Sequence, residues 1–239
     1  MPMAGKGSRF SSVGFSLPKP LITIYEKPFF YWATQSVYKY VEIASLNFVV
    51  LQEHIDNFEI DKEIYSFYPE AIIHVIKEVT EGAVMSCLVG GGKINDDYPV
   101  VFNDCDHLFK CEFLYEMCNR PKKIEYDGIL LTFYSDQPKY SYVEKNKLGK
   151  IIRTTEKEVI SNEAICGCYI FKNIYIFRMA ASKYLNNCRY QEYFMSGLYD
   201  QIILTGNTIH SIETDFHVPF GIPSEYELAK NFKGYEKFL

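Results

Sequence analysis

Two glycines and two cations crowd the start of the chain, in Ala4-Gly5-Lys6-Gly7-Ser8-Arg9-Phe10. Backbone that rich in glycine folds tightly enough to aim several N–H groups into one cavity, and such a nest binds anionic oxygens. Lys6 and Arg9 add positive charge, and arginine suits phosphate in particular. The loop lacks the GK[ST] ending of a P-loop and the third glycine of the dinucleotide fingerprint. Further on, Leu17-Pro18-Lys19-Pro20-Leu21 sets one lysine between two prolines, whose rings restrict the backbone on both sides. That rigidity can aim an ammonium group back toward the glycine loop. Thr80-Glu81-Gly82-Ala83 reads as a junction between a strand and a helix. A glycine there lets a base or ribose approach the backbone, and the helix start supplies open N–H groups.

A fourth constellation is Val100-Val101-Phe102-Asn103-Asp104-Cys105-Asp106-His107. An apolar strand delivers two carboxylates, at i and i+2, to its C-terminal end, where open α/β sheets bind ligands. Magnesium takes one or two carboxylates together with substrate phosphate, so this pair suits that ion. Downstream, the charged run Thr155-Glu156-Lys157-Glu158 precedes Ser161-Asn162-Glu163-Ala164 and Gly167-Cys168-Tyr169-Ile170-Phe171.

The elements that must hold these residues alternate in type. Short apolar runs at 46–51, 71–76 and 100–102 read as buried strands. Helical patterns at 29–41 and 55–67 lie between them. Strands are expected over 124–133 and 140–143, around the turn Ser135-Asp136-Gln137-Pro138, and again at 151–153 and 165–171. Helices are predicted over 174–185 and 190–204, a strand over 209–213, and a last helix capped by Ser224 and ending near Lys230. Only Met1, Pro2 and Met3 precede the first loop, where a nucleotide-binding α/β fold places a full strand. The reading is α/β, with one Rossmann-like domain over 1–239 and a mostly parallel mixed sheet.

Composition narrows the partners. The 239 residues carry 25 Lys and Arg against 30 Asp and Glu, a net charge of −5, so no basic excess invites duplex nucleic acid. Seven cysteines, with no CxxC pair, argue against a disulfide framework and a structural zinc site. Apolar stretches stop well short of the roughly 18 residues of a membrane helix, and the start lacks a secretory pattern. A cytoplasmic protein without a nucleic-acid or membrane partner is expected.

Taken in order, AGKGSRF and PKP resemble the signature of the nucleoside-triphosphate:sugar-phosphate nucleotidylyltransferase family, which runs GGxGTRL and then PK. The resemblance implies a nucleotidyltransferase fold and transfer of a nucleoside monophosphate, CTP or UTP favoured, onto a phosphorylated small molecule with release of pyrophosphate. It implies that Ala4, Gly5, Gly7, Ser8 and Arg9 hold the triphosphate, that Lys19 meets phosphate at the reacting centre, and that Glu81, Gly82 and Ala83 lie against the nucleoside. Asp106 takes the magnesium position, with Asp104 in reserve. An EKP-like tripeptide becomes Glu156-Lys157-Glu158, so Glu156, Lys157 and Gly167 are implied on the acceptor side, altered where proline is replaced. Glu192-Tyr193-Phe194-Met195-Ser196 and Gly221-Ile222-Pro223 also fall in family order. The family's late W-D-x-G-T-P carries a second metal-binding Asp, but Pro219 stands there; the resemblance implies that the second ligand is missing or that Asp215 or His217 substitutes from a shifted position. Short members of the family commonly make capsule or surface-polysaccharide precursors from sugar 1-phosphates, and the altered acceptor segment also admits phosphoglutamine as the acceptor for CTP. A homodimer fits the family as well. Two other classes stand beside this one: a metal-dependent glycosyltransferase, which has no use for AGKGSRF and PKP, and a nucleotide-binding regulatory protein, favoured by the missing Asp.

Overall fold

In the computed structural model, residues 1–119 and 125–239 are described. Gly7, at φ 60°, caps a single-turn helix α1 (Ser8–Ser11). A small hairpin of β1 (Thr23–Ile24) and β2 (Lys27–Pro28) leads into α2 (Phe29–Tyr38), which buries Phe29, Phe30 and Trp32. β3 (Asn47–Leu51) is almost wholly buried, as the continuous apolar run requires, and pairs in parallel with β4 (Ile72–Ile76). Between them the helix predicted over 55–67 is two helices, α3 (Gln52–Phe58) and α4 (Ile60–Phe67). Glu59 separates them with a left-handed φ of 51°, a conformation an α-helix cannot contain.

The chain continues through α5 (Ala83–Gly90), β5 (Val100–Asn103), β6 (His107–Lys110) and α6 (Glu112–Asn119). It then forms β7 (Gly128–Tyr134), β8 (Ser141–Lys145), β9 (Ile151–Glu156) and β10 (Glu163–Phe171). Ile124, placed in the first of these strands by sequence, lies outside the described residues. α7 (Ile174–Asn187), α8 (Met195–Leu204), β11 (Ile209–Glu213), β12 (Phe216–Pro219) and α9 (Pro223–Ala229) complete it. α8 begins five residues later than predicted, because the backbone of Tyr193 bonds outside its own segment. The last helix is capped at Ile222 rather than Ser224, with Pro223 in the first helical position, where its missing N–H costs nothing.

Two compact units emerge: 1–80 with 103–110 and 216–239, and 81–102 with 111–215. In the first, Met1 to Met3 run alongside β3, with Met3 N donating to Val49 O at 2.8 Å and Val49 N to Met1 O at 3.0 Å. These residues thus run extended beside β3, through a parallel bridge of Pro2 with Val49, where a strand before the glycine loop is expected. β12 pairs antiparallel with β6, Pro219 facing His107. In the second, a six-stranded mixed sheet has the order β11-β7-β10-β8-β9, with β5 beside β10. The β11–β7 pairing is parallel, whereas β7–β10, β10–β8 and β8–β9 are antiparallel. The α/β mixture is as expected, and the antiparallel share is larger than alternating strand and helix patterns suggest. The short turn at 146–150 joins β8 and β9 as a hairpin, which needs no crossover helix, whereas β7 and β8 lie on either side of β10. No described helix is long and apolar enough to cross a membrane.

Candidate active site

The first unit gathers four separate sequence motifs. At Gly7, with its left-handed φ of 60°, a Cβ would lie 3.1 Å from Lys19 Cβ and 3.3 Å from Lys19 N, tighter than an ordinary contact. The glycine loop is thus packed against the backbone of the lysine between the prolines. Pro18 caps a 3₁₀ turn, Lys19–Leu21, that buries Pro20 and Leu21 and leaves the lysine as its polar member. Lys19 Nζ reaches Asp106 Oδ2 at 2.8 Å, both side chains only about a quarter exposed. Burial works against charge on both groups, and their mutual attraction outweighs it. The Asp106 carboxyl is held below its usual range and the Lys19 ammonium above its own. Between the two aspartates Cys105 is buried, and burial pushes its thiol up to about 12, so it stays protonated near neutral pH.

The late glycine motif closes on the same carboxylate. Phe220 N donates to Asp106 O at 2.9 Å. A Cβ on Gly221 would stand 2.4 Å from Asp106 Oδ2 and 3.6 Å from Glu225 Oε2, so only glycine leaves that carboxylate its place. Glu225, itself 6% exposed, accepts from Gly221 N at 3.0 Å and Ile222 N at 3.2 Å and fixes the turn. Sequence reasoning placed Gly221 in family order without seeing this contact. Gly5, Lys6, Ser8 and Arg9 are on the exposed side of the loop, whereas Ala4 is buried against Val49 and Leu51.

The second unit holds the remaining candidates. Gly82, at φ 152°, opens α5, and a Cβ there would lie 2.4 Å from Tyr193 N. Tyr193 N donates to Glu81 O and Tyr193 O accepts from Val84 N, each at 3.0 Å. Glu156 ends β9 with its side chain 12% exposed; its Oε2 accepts from Ser141 Oγ and, at 2.8 Å, from Ser196 Oγ. Lys157 follows in a left-handed conformation, φ 56°, its ammonium 3.6 Å from Glu156 Oε1 and 4.6 Å from the centre of the Phe194 ring. Gly167 is buried in β10 at φ 93°, where the pairing with β7 shifts register. Asp215 lies in this unit, and its Oδ2 accepts from Glu112 N at 2.8 Å. Tyr190, Phe194, Ser141 and Ser196 had no assigned role from sequence; only pairing across β8 and β9 brings Ser141 opposite Glu156.

Hard oxygen donors are what magnesium needs, and Asp106, with Asp104 beside it in sequence, supplies them. Pro219 supplies none. The donor set fits an ion that takes much of its coordination from phosphate.

A sequence model described as "Nucleotidyl transferase" matches residues 3–216. No curated protein matches the chain. Among solved structures, a nucleoside-diphosphate-sugar pyrophosphorylase from Vibrio cholerae RC9 is similar with a TM-score of 0.80 at 22% identity, covering 97% of this chain and 100% of that one. The inositol-1-phosphate CTP transferase of T. maritima has a TM-score of 0.73 at 16% identity, over 95% of this chain and 92% of that one. A UDP-glucose pyrophosphorylase complexed with UDP-glucose has a TM-score of 0.72 at 18% identity, over 99% and 97%. At those identities the likeness speaks to the fold.

Proposed function

Because the chain belongs to the nucleotidyl transferase family, we propose that it moves a nucleoside monophosphate from CTP or UTP onto a phosphorylated small molecule, foremost a sugar 1-phosphate. Pyrophosphate is released. The 2.8 Å pair of Lys19 and Asp106, packed against Gly7 and closed by Gly221, carries this reading. A cation, a hard-oxygen donor and two glycine turns around one spot suit the neutralisation of charge that nucleotidyl transfer between phosphates requires. The names of the similar structures, one for inositol 1-phosphate and CTP and one for UDP-glucose, support the substrate class.

In the reaction an acceptor phosphate oxygen bonds to the α-phosphorus, and the bond from that phosphorus to the bridging oxygen of pyrophosphate breaks. The nucleophile is already ionised, so positioning and charge neutralisation carry the catalysis. Loop N–H groups with Ser8 and Arg9 hold the leaving phosphates. Lys19 screens the two anions as they meet. Asp106, with Asp104 in reserve, would hold magnesium, which when bound neutralises phosphate charge. Glu81, Gly82 and Ala83 meet the nucleoside; Glu156, Lys157 and Gly167 meet the acceptor. We place the product among activated precursors of capsule or other surface polysaccharide, made in the cytoplasm.

The test is a panel of four nucleoside triphosphates against sugar 1-phosphates and phosphorylated amino acids, phosphoglutamine included, read as pyrophosphate release. Release is expected only when an acceptor is present, and in Asp106→Ala it should fall by at least about 100-fold. A folded Asp106→Ala protein with full turnover removes Asp106 from the site. Nucleotide binding without release on any acceptor overturns the transfer reading.

A further inference from the structure

Residues 190–194 interrupt what the sequence pattern reads as continuous helix, and the segment 190–196 makes several contacts with residues of the candidate site, besides those to Cys188 and Tyr184. Tyr193 clamps the Gly82 turn through both its N–H and its C=O. The Tyr190 hydroxyl accepts from Glu156 N at 3.3 Å. Ser196 Oγ donates to the Glu156 carboxylate, and Ser196 O accepts from Thr154 Oγ1 at 2.6 Å in the same strand. Phe194 presents its ring to the Lys157 ammonium at 4.6 Å, with the Tyr190 ring edge-on behind it at 6.0 Å. Lys157 is 45% exposed, so water would otherwise leave its long side chain many rotamers. The ring face and Glu156 Oε1 together narrow them.

We propose that this segment is a positioning element in which Phe194 holds Lys157 in place and Tyr193 ties that arrangement to the nucleoside turn. It rests on the acceptor role given above to Glu156 and Lys157. The nucleoside end and the acceptor end are then registered to each other by the one continuous segment 190–196 rather than by separate elements. Phe194 is a positioning residue: it acts on the acceptor phosphate through Lys157.

Competitive lysine acylation with limiting acetic anhydride, read by mass spectrometry, measures how firmly Lys157 is held and needs no substrate. Exposed Lys147 serves as the internal reference. Phe194→Leu, which keeps bulk but loses the π face, should raise Lys157 labelling about two- to fivefold, the size of an exposed cation–π contact. Phe194→Tyr should label like wild type. Gly82→Ala, whose new Cβ must displace Tyr193, should also raise labelling at Lys157. Equal labelling in Phe194→Leu and wild type overturns the role of Phe194. Unchanged Lys157 labelling in a folded Gly82→Ala protein overturns the tie. If that variant does not fold, amide exchange of Tyr193 in the Phe194→Leu protein takes its place: faster exchange than wild type supports the tie, and equal exchange overturns it. With the acceptor found in the panel, Phe194→Leu should raise KM for acceptor by a similar factor and leave kcat unchanged. Because labelling is read without turnover, failure of the transfer reading remains distinguishable from failure of this one.

Discussion

An ammonium and a carboxylate 2.8 Å apart, each about a quarter exposed, are costly to bury singly and tolerable as a pair. Their attraction keeps Lys19 charged near neutral pH, where a phosphate substrate is ionised. When triphosphate arrives, the same ammonium can turn from a carboxylate to a phosphate oxygen without changing its own charge. Lys19→Ala should therefore cost on the order of 100-fold in turnover, the scale of one preorganised electrostatic contact. Steady-state pyrophosphate release, with circular dichroism to confirm folding, checks it; an unchanged rate would take Lys19 out of the centre. Lys19 and Asp106 were legible as residue types because proline flanks and a strand end announce them. That Gly221 yields its side-chain space to Asp106 was not legible, since 115 positions of chain separate the two and no local pattern records a non-local contact.

Elements follow local rules where local rules are strong. Asn173 caps α7, its Oδ1 accepting from Ile176 N at 3.0 Å. Asn173→Ala should lower unfolding stability by about 1 kcal/mol with little change in activity, as read from a urea transition. The patterns for β3, β10, α2 and α7 were readable because burial on one or both faces imposes a period, whereas β4, expected to be a buried strand, has no buried residue and leaves Ile72 and Val75 exposed. The failures have a common cause. Glu59 adopts a backbone angle that its residue type does not advertise, and it splits one apolar pattern into α3 and α4. Segment 190–194 keeps helical periodicity, but Tyr190 and Tyr193 bond to Glu81, Val84 and Glu156 rather than within the segment. β6 and β12 are too short to show a period, and each exists because the other pairs with it.

For the whole molecule, pH acts through histidines as well as carboxylates. Burial lowers the pKa of His54 in the first unit, with Glu53 opposing. Burial and Lys145 lower that of His210 in the second, with Glu163 opposing and Tyr126 stacked on the ring. Unfolded histidine titrates near 6.5, so as pH drops below about 6.5 the unfolded chain takes up protons that the folded chain refuses. Stability should hold above pH 7 and fall as pH decreases through that window, lowering Tm by a few degrees at pH 5. His54→Asn and His210→Asn should each flatten the fall, and a scan of Tm against pH checks it. Asp106 adds a second loss at lower pH, as its depressed carboxyl is finally protonated. By itself the sequence pointed to the reaction class through the family resemblance that its glycine, proline and carboxylate motifs carry, because their order along the chain survives without coordinates. Only the tertiary structure decided which residues serve them: that Gly7 backs Lys19, that Gly221 makes room for Asp106, and that Phe194 faces Lys157. Those are contacts between distant segments, and packing selects them by shape and charge together.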